Sequence, residues 1–472
     1  MQNEQQDHET GQNTLSRKLT SAQVSMIGLA GALGTGLFLG SGTTIGFGGP
    51  GTILAYILAG SLALIVVWAM AELAATHPVP GGPGAVAAAY LGPLGGYILR
   101  WNIAVTFIIA ISAEVTAAGT YLQYWFPLPL WAGTVGSSLL IMLLNFLTVR
   151  LYGTSEYWFS MFKVVAIIVF ILLGASLIVT GWPGSHGPIG LGNLVNNGGF
   201  LPNGFGGVML ATCFAVFSFG GIENVSAAAA EAEHPERDVP RAAKTMIWRL
   251  LLFYVFAVAV VVTLQPWQVT GNADGTVGAS PFVKAMELAG IPIAADIMNA
   301  VVLIAALSAA NGCLYASSRM VHSLAIDRQA PHWAARTTAN GTPRNAVLLI
   351  CIGFALASVL AIVSPDRAFT YLASCATVGI LVSWVSVSVT LLAFRRRRAG
   401  RDLPKPPIVL PLAPLTTSFV IVSSIAIFVT LMVLDPVVRV MGVAYIVVLF
   451  GSYLLVRRAG GTNQSRVLQL EI

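Results

Sequence analysis

Three ionisable side chains interrupt sequence that is otherwise apolar. Glu114 stands between Ile108 and Gly119, Lys163 lies within a hydrophobic run, and Glu223 follows Phe217-Ser218-Phe219-Gly220-Gly221. A charge held in hydrocarbon costs about 2.5–3.5 kcal/mol on insertion scales, so such residues face a protein interior, pair, or exchange a proton. Lys163, read as the one lysine or arginine inside a span, is a candidate proton carrier; the alternative is that it snorkels to the nearer interface. Glu114 relays a proton, pairs with a polar residue of a later span, or makes a structural hydrogen bond. Glu223 holds a proton, caps a half-helix, or bonds to the first span.

No other pattern offers chemistry. Cys213, Cys313, Cys351 and Cys375 lack CxxC or CxxH spacing, and His77, His186, His234, His322 and His332 lack ligand spacing. Neither a metal, a cofactor nor a disulfide is therefore expected. No nucleophile and base, and hence no catalytic residue, stand out in the apolar sequence. The Walker pattern GxxxxGK[ST] is missing, which argues against an ATP-driven pump.

Two interrupted helices must position these groups. Residues 24–45 are long and apolar enough to cross a bilayer, yet Gly31-Ala32-Leu33-Gly34-Thr35-Gly36 fills their centre, and glycine weakens a helix more than any residue but proline. A break there frees backbone groups that lipid cannot satisfy, so it survives only inside protein or against a polar ligand. A half-helix starting near Gly36 would aim N–H groups and a positive dipole end at an anion. The competing reading is a close-packing face, since Gly28, Ala32 and Gly36 share small-xxx-small spacing. Phe217-Ser218-Phe219-Gly220-Gly221-Ile222-Glu223-Asn224 then repeats the glycine and polar pattern in a sixth span. Breaks in the first and sixth spans occupy matching positions of two five-span halves, the sequence pointer to an inverted-repeat secondary transporter.

The frame is a membrane. Of 472 residues 56% are hydrophobic and 9% charged, against roughly 25% charged in a soluble domain. Hydropathy predicts an all-α polytopic protein of twelve transmembrane helices at about 24–46, 51–76, 93–123, 128–148, 157–180, 204–231, 246–266, 292–321, 345–363, 369–394, 411–433 and 437–456. With both termini cytoplasmic, Arg237, Arg241, Arg328, Arg344, Arg395-Arg396-Arg397-Arg398 and Arg457-Arg458 fall on the inner side, as the positive-inside rule requires. The net charge of +6 is thus an orientation signal, not a nucleic-acid surface. Organisation is expected as a disordered cytoplasmic tail (1–20), a first five-helix repeat (21–180), a second inverted repeat (204–398), two further helices (408–458) and a cytoplasmic tail (459–472). Ser308, Asn311, Tyr315, Ser317 and Ser318 recur on one face of span eight, either lining a pathway or joining helices.

Several stretches carry a family resemblance. GALGTGLFLGSG in span one, PVPGGPG after span two, AEVTAAGTYLQYWFP in span three, FKVVAIIVFILLG in span five, FSFGGIEN with AEAEHPERDVPRA in span six and SAANGCLYASSRMVHSLAIDRQAP in span eight resemble bacterial amino-acid permeases of the amino acid–polyamine–organocation superfamily, in the amino acid transporter branch. The resemblance implies a LeuT-like fold, a five-plus-five inverted repeat with broken helices 1 and 6 and two C-terminal helices, and proton-coupled amino-acid uptake at the inner membrane. It implies a substrate site of Gly31, Gly34, Thr35, Gly36, Phe217, Ser218, Phe219, Gly220 and Glu223. The carboxylate would meet Gly34-Thr35-Gly36 and the ammonium the freed carbonyls near Phe217-Ser218-Phe219; Phe219 is a candidate gate, with ordinary packing as the competitor. Proton coupling would run through Lys163, Glu114 and Glu223, the span-five lysine filling the place a sodium ion takes elsewhere. Ser308, Asn311 and Ser317 would line the pathway or the contact between helices 1 and 8. Asn224 departs from the family, which usually has an aliphatic residue there. Partners are the amino acid, the proton and the bilayer. An exchanger of the same fold is the runner-up, followed by a transport-inactive sensor.

Overall fold

The computed structural model describes residues 19–79, 81–145, 149–184, 187–271, 280–288, 290, 292–338, 342–399, 405–434 and 436–458. The expected tails, apart from Leu19 and Thr20, lie outside them. Those two residues are ordered, because Leu19 donates its N–H to the Glu231 carbonyl at 3.0 Å and accepts from Glu233 N–H at 3.1 Å.

The first span is divided into α1 (Ser21–Ala32), α2 (Thr35–Phe38) and α3 (Gly40–Gly48). Then follow α4 (Thr52–Thr76), α5 (Gly82–Leu91), α6 (Pro93–Gln123), α7 (Leu130–Asn145) and α8 (Val149–Val179). The sixth span is split into α9 (Gly204–Ser218) and α10 (Asn224–Ala228). The chain continues with α11 (Pro235–Leu264), the short α12 (Trp267–Thr270) and α13 (Pro281–Leu288), α14 (Pro292–Ile326), α15 (Arg344–Ile350), α16 (Ile352–Val363), α17 (Ala368–Arg398), α18 (Ala413–Leu434) and α19 (Pro436–Arg458). Among the described residues nine helices are long and apolar enough to cross a membrane, and α7 and α9 are shorter apolar helices. Each of the twelve expected spans has its helix.

Local chemistry sets the boundaries. Pro93 opens α6 directly after Gly92, whose φ of 85° no side chain favours, and a proline in the first turn loses no helical hydrogen bond. Pro235 opens α11 in the same way, with Glu236 and Asp238 in its first turn, where acidic groups suit the helix dipole. Arg395–Arg398 occupy the last turn of α17, the end that favours cations.

The polarity of the molecule is inverted relative to a soluble protein. Leu143, Leu172, Val179, Ile362 and Val447 are exposed, while Glu72, Arg100, Glu114, Glu156, Lys163, Glu223 and Glu231 are buried. Around α6 pack α5, α7, α14, α16 and α17, so this helix is the post of the bundle. Lys163 is therefore not alone among basic residues inside the spans. Arg100 of α6 pairs with Asp327 at 2.6 Å and Arg319 of α14 with Glu231 at 2.8 Å.

Candidate functional site

At the first break Gly34 is extended, with φ −114° and ψ −162°. The freed groups are claimed by side chains from three different helices. Thr35 N–H, at the start of α2, donates to the Glu114 carboxylate at 3.2 and 3.3 Å. Lys163 Nζ of α8 donates to the Leu33 carbonyl at 3.1 Å. The Tyr254 hydroxyl of α11 donates to the Ala32 carbonyl. Such satisfaction is what an irregular backbone inside a membrane needs.

The second break is tied to the first. Tyr254 Oη also lies 2.7 Å from the Ser218 carbonyl at the end of α9, so one hydroxyl serves both breaks. Ser218 Oγ meets Tyr56 Oη at 3.0 Å. Gly221 adopts φ 91°, and its N–H donates to Glu223 at 3.0 Å. Glu223 thus braces the turn two residues upstream.

Glycine at both breaks permits backbone contact. A Cβ on Gly36 would lie 2.5 Å from Ser218 Cα, and one on Gly34 would lie 2.6 Å from a Glu114 oxygen. The breaks enclose a cavity of about 20 Å³ bordered by Gly34, Gly36, Glu114, Phe217, Ser218, Gly220 and Cys313, among others. That space suits about one water-sized group. An amino acid requires the breaks to separate.

The expected residues fall into three groups. Gly34, Thr35, Gly36, Glu114, Phe217, Ser218 and Gly220 meet at the cavity or its backbone, with Lys163 one residue along the break. Gly31 lies within α1, before the break. Phe219 does not border the cavity: its ring is 4.7 Å from that of Tyr254 and 6.2 Å from that of Tyr56, in the core. Phe217 takes the bordering position and meets Phe369 edge-on at 6.0 Å. Ser317 bonds back to the Cys313 carbonyl at 2.7 Å, the usual habit of a membrane serine.

Ser308 and Asn311 lead to a residue that the sequence reading passed over. Glu156, fully buried on α8, accepts from Ser308 Oγ at 2.7 Å and from Asn311 Nδ2 at 2.5 Å. It stands one position before the predicted fifth span, where a carboxylate reads as loop; its spacing of seven from Lys163, which repeats a helix face, was the available signal. Tyr254 lies in a continuous apolar run, and nothing in its surroundings marks the hydroxyl.

At the end of the bundle that carries Arg395–Arg398, Arg319 packs its guanidinium 3.7 Å over the Tyr315 ring while holding Glu231. Glu231 follows α10, and its carbonyl receives the Leu19 N–H. The sixth span is thus locked to α14 and to the segment before α1.

The chain is similar to known proteins over most of its length. The amino acid permease family model matches residues 23–458. An amino acid permease of Bacillus subtilis (strain 168), YtnA, is 36% identical over 90% of this chain and 91% of its own length. The aromatic amino acid transport protein AroP of Shigella flexneri is 36% identical over 81% of this chain and 83% of its own. The probable threonine/serine transporter YbxG of Bacillus subtilis (strain 168) is 32% identical over 93% and 94%. Among solved structures, the manganese transporter of Eremococcus coleocola matches with a TM-score of 0.55 at 13% identity, over 93% of this chain and 94% of that one, which shows a shared LeuT-type fold. This multi-pass membrane protein belongs to the amino acid permease family of the amino acid–polyamine–organocation superfamily, whose members are transporters and not enzymes.

Proposed function

We propose that this chain imports an amino acid across the cytoplasmic (inner) membrane by alternating access, in symport with a proton and with both termini cytoplasmic. One observation carries the reading: the donor end of α2 and the acceptor end of α9 border the same small cavity. Half-helix N-termini favour anions and unwound C-terminal ends favour cations, so the pair is complementary to an amino-acid zwitterion. The substrate carboxylate takes the N–H groups at Gly34-Thr35-Gly36, and its ammonium takes the carbonyls about Ser218. Names of relatives that carry aromatic amino acids and, provisionally, threonine or serine agree with a neutral substrate. So do the opposite formal charges of Glu114 and Lys163 beside the first break.

Lys163 is the coupling residue in this reading. An ammonium on the Leu33 carbonyl holds the first break, and its loss of a proton releases that hold. An inside-negative potential drives the added charge inward at about 2.3 kcal/mol per 100 mV. Uptake of labelled neutral amino acids into sodium-free proteoliposomes tests the proposal, with wild type and Lys163→Ala compared under an acid-outside gradient. Accumulation that needs the gradient and is lost in the variant is the expected result. Label that enters only vesicles preloaded with unlabelled amino acid, with no effect of the gradient, would make the protein an exchanger.

A further inference from the structure

Glu156 has no part in the reading above, although it is wholly buried and seven residues from Lys163 on one helix. Its partners form a hydrogen-bonded chain whose direction can be worked out. The Ile141 carbonyl can only accept, so Asn145 meets it with Nδ2, at 3.1 Å. The same Nδ2 donates to Asn311 Oδ1 at 2.5 Å. Asn311 is left with its amide nitrogen towards Glu156 Oε1, also at 2.5 Å. Ser308 Oγ donates to the other oxygen at 2.7 Å. Oε1 is therefore fixed as an acceptor, facing a group that has no lone pair to receive a carboxyl proton, while Oε2 meets a hydroxyl that can turn.

We infer that this polarised chain from Ile141 through Asn145 and Asn311 holds Glu156 as a fixed anion, the counter-charge that allows Lys163 to carry its proton beside the first break.

Helix geometry supports the pairing. Residues seven apart share a face, about 10 Å along the axis. Side chains lean towards the helix N-terminus, which tilts Lys163 back towards Glu156. Between them Ser160 Oγ lies 2.7 Å from the Glu156 carbonyl and 3.0 Å from the Met26 carbonyl, so Ser160 and Lys163 face α1 while the Glu156 carboxylate turns to α14. The other titratable groups that act on Lys163 are Glu114 from α6 and Cys313 from α14. From α11, Tyr254 reaches the Ala32 carbonyl next to the Leu33 carbonyl that Lys163 holds. Glu114 is committed to Thr35 N–H, which leaves Glu156 as the carboxylate that stays in place when substrate enters. Glu156 is a positioning residue on this account, because it acts through Lys163.

The inference rests on the proton-symport reading, and its test separates the two. Glu156→Gln conserves shape: its carbonyl can accept from Asn311 while its amide donates to Ser308, whose hydroxyl can turn. In proteoliposomes the variant should lose about ten-fold or more of the gradient-driven accumulation of labelled amino acid near neutral pH. The pH of half-maximal uptake should move about one unit towards acid, the shift that a ten-fold weaker proton affinity produces. Asn145→Leu, which removes the source of the polarity and leaves the carboxylate, should shift the same way by less. If wild type is driven by the proton gradient and both variants keep its pH profile, the role of Glu156 is overturned and symport stands. If Glu156→Gln does not fold, the Asn145→Leu profile decides alone. If wild type itself ignores the gradient, the symport reading fails and this inference falls with it.

Discussion

The Glu114 carboxylate occupies the backbone N–H of Thr35, at 3.2 and 3.3 Å, at the same helix start where a substrate carboxylate would dock. In this closed arrangement the protein's own carboxyl group takes the position proposed for the substrate carboxylate. On the proposed docking, entry of an amino acid would exchange one carboxylate for another, and a proton on Glu114 would favour the exchange.

Binding should accordingly tighten in acid. Calorimetric titration of the transported amino acid between about pH 8 and 5.5 leaves the substrate zwitterion unchanged, since a free amino acid's carboxyl group titrates well below this range and its ammonium above it. Affinity is expected to rise as pH falls in wild type. The rise should be largely lost in Glu114→Gln, and an unaltered pH dependence in that variant would contradict the exchange.

Contact between Gly36 and the second break leaves no room for a methyl group. In Gly36→Ala the new carbon would sit 2.5 Å from Ser218 Cα and 2.9 Å from its nitrogen, both backbone atoms that cannot swing aside. Overpacking of this kind costs about 1–3 kcal/mol. The variant should melt at lower temperature and lose transport, whereas Gly136→Ala, which meets nothing within 4 Å, should keep both. Wild-type uptake by Gly36→Ala would show that the breaks stand farther apart in the working protein.

Tyr254 shares its one hydroxyl proton between the Ala32 and Ser218 carbonyls, and the Ala32 carbonyl also receives the Gly34 N–H at 2.9 Å, so Tyr254→Phe should orphan the Ser218 carbonyl at about 1–3 kcal/mol. A substrate ammonium that takes the Ser218 carbonyl would restore part of this loss. The rise in melting temperature on adding the amino acid should therefore be larger in Tyr254→Phe than in wild type. Equal rises would mean that the ammonium binds elsewhere.

The buried pair of Glu231 and Arg319 ties the sixth span to α14 at the end of the bundle bearing Arg395–Arg398. Removing one partner of such a pair leaves an uncompensated charge and opens the contact. With Cys213, Cys351 and Cys375 replaced by alanine, a membrane-impermeant maleimide applied from that side should label Cys313, which borders the cavity, faster in Glu231→Gln than with Glu231 intact. Unchanged labelling would show that this pair does not close that side of the cavity.

Much of this protein's fold is legible in the sequence alone. Hydrocarbon tolerates neither loose backbone nor stray charge, so twelve apolar runs, two glycine-rich interruptions, and Glu114 and Lys163 amid apolar residues point to the spans, the breaks and the candidate site. Which group satisfies which freed backbone atom was decided only by tertiary packing. The partners of the first break come from α6, α8 and α11, brought together across the bundle, and no local pattern records that pairing. Phe217 and Phe219 illustrate the limit: both flank the break, yet rotation about the end of α9 turns one to the cavity and the other into the aromatic core. Tyr254 and Glu156 were missed for the same reason. A hydroxyl in an apolar run and a carboxylate at a span edge acquire their roles from neighbours distant in the chain.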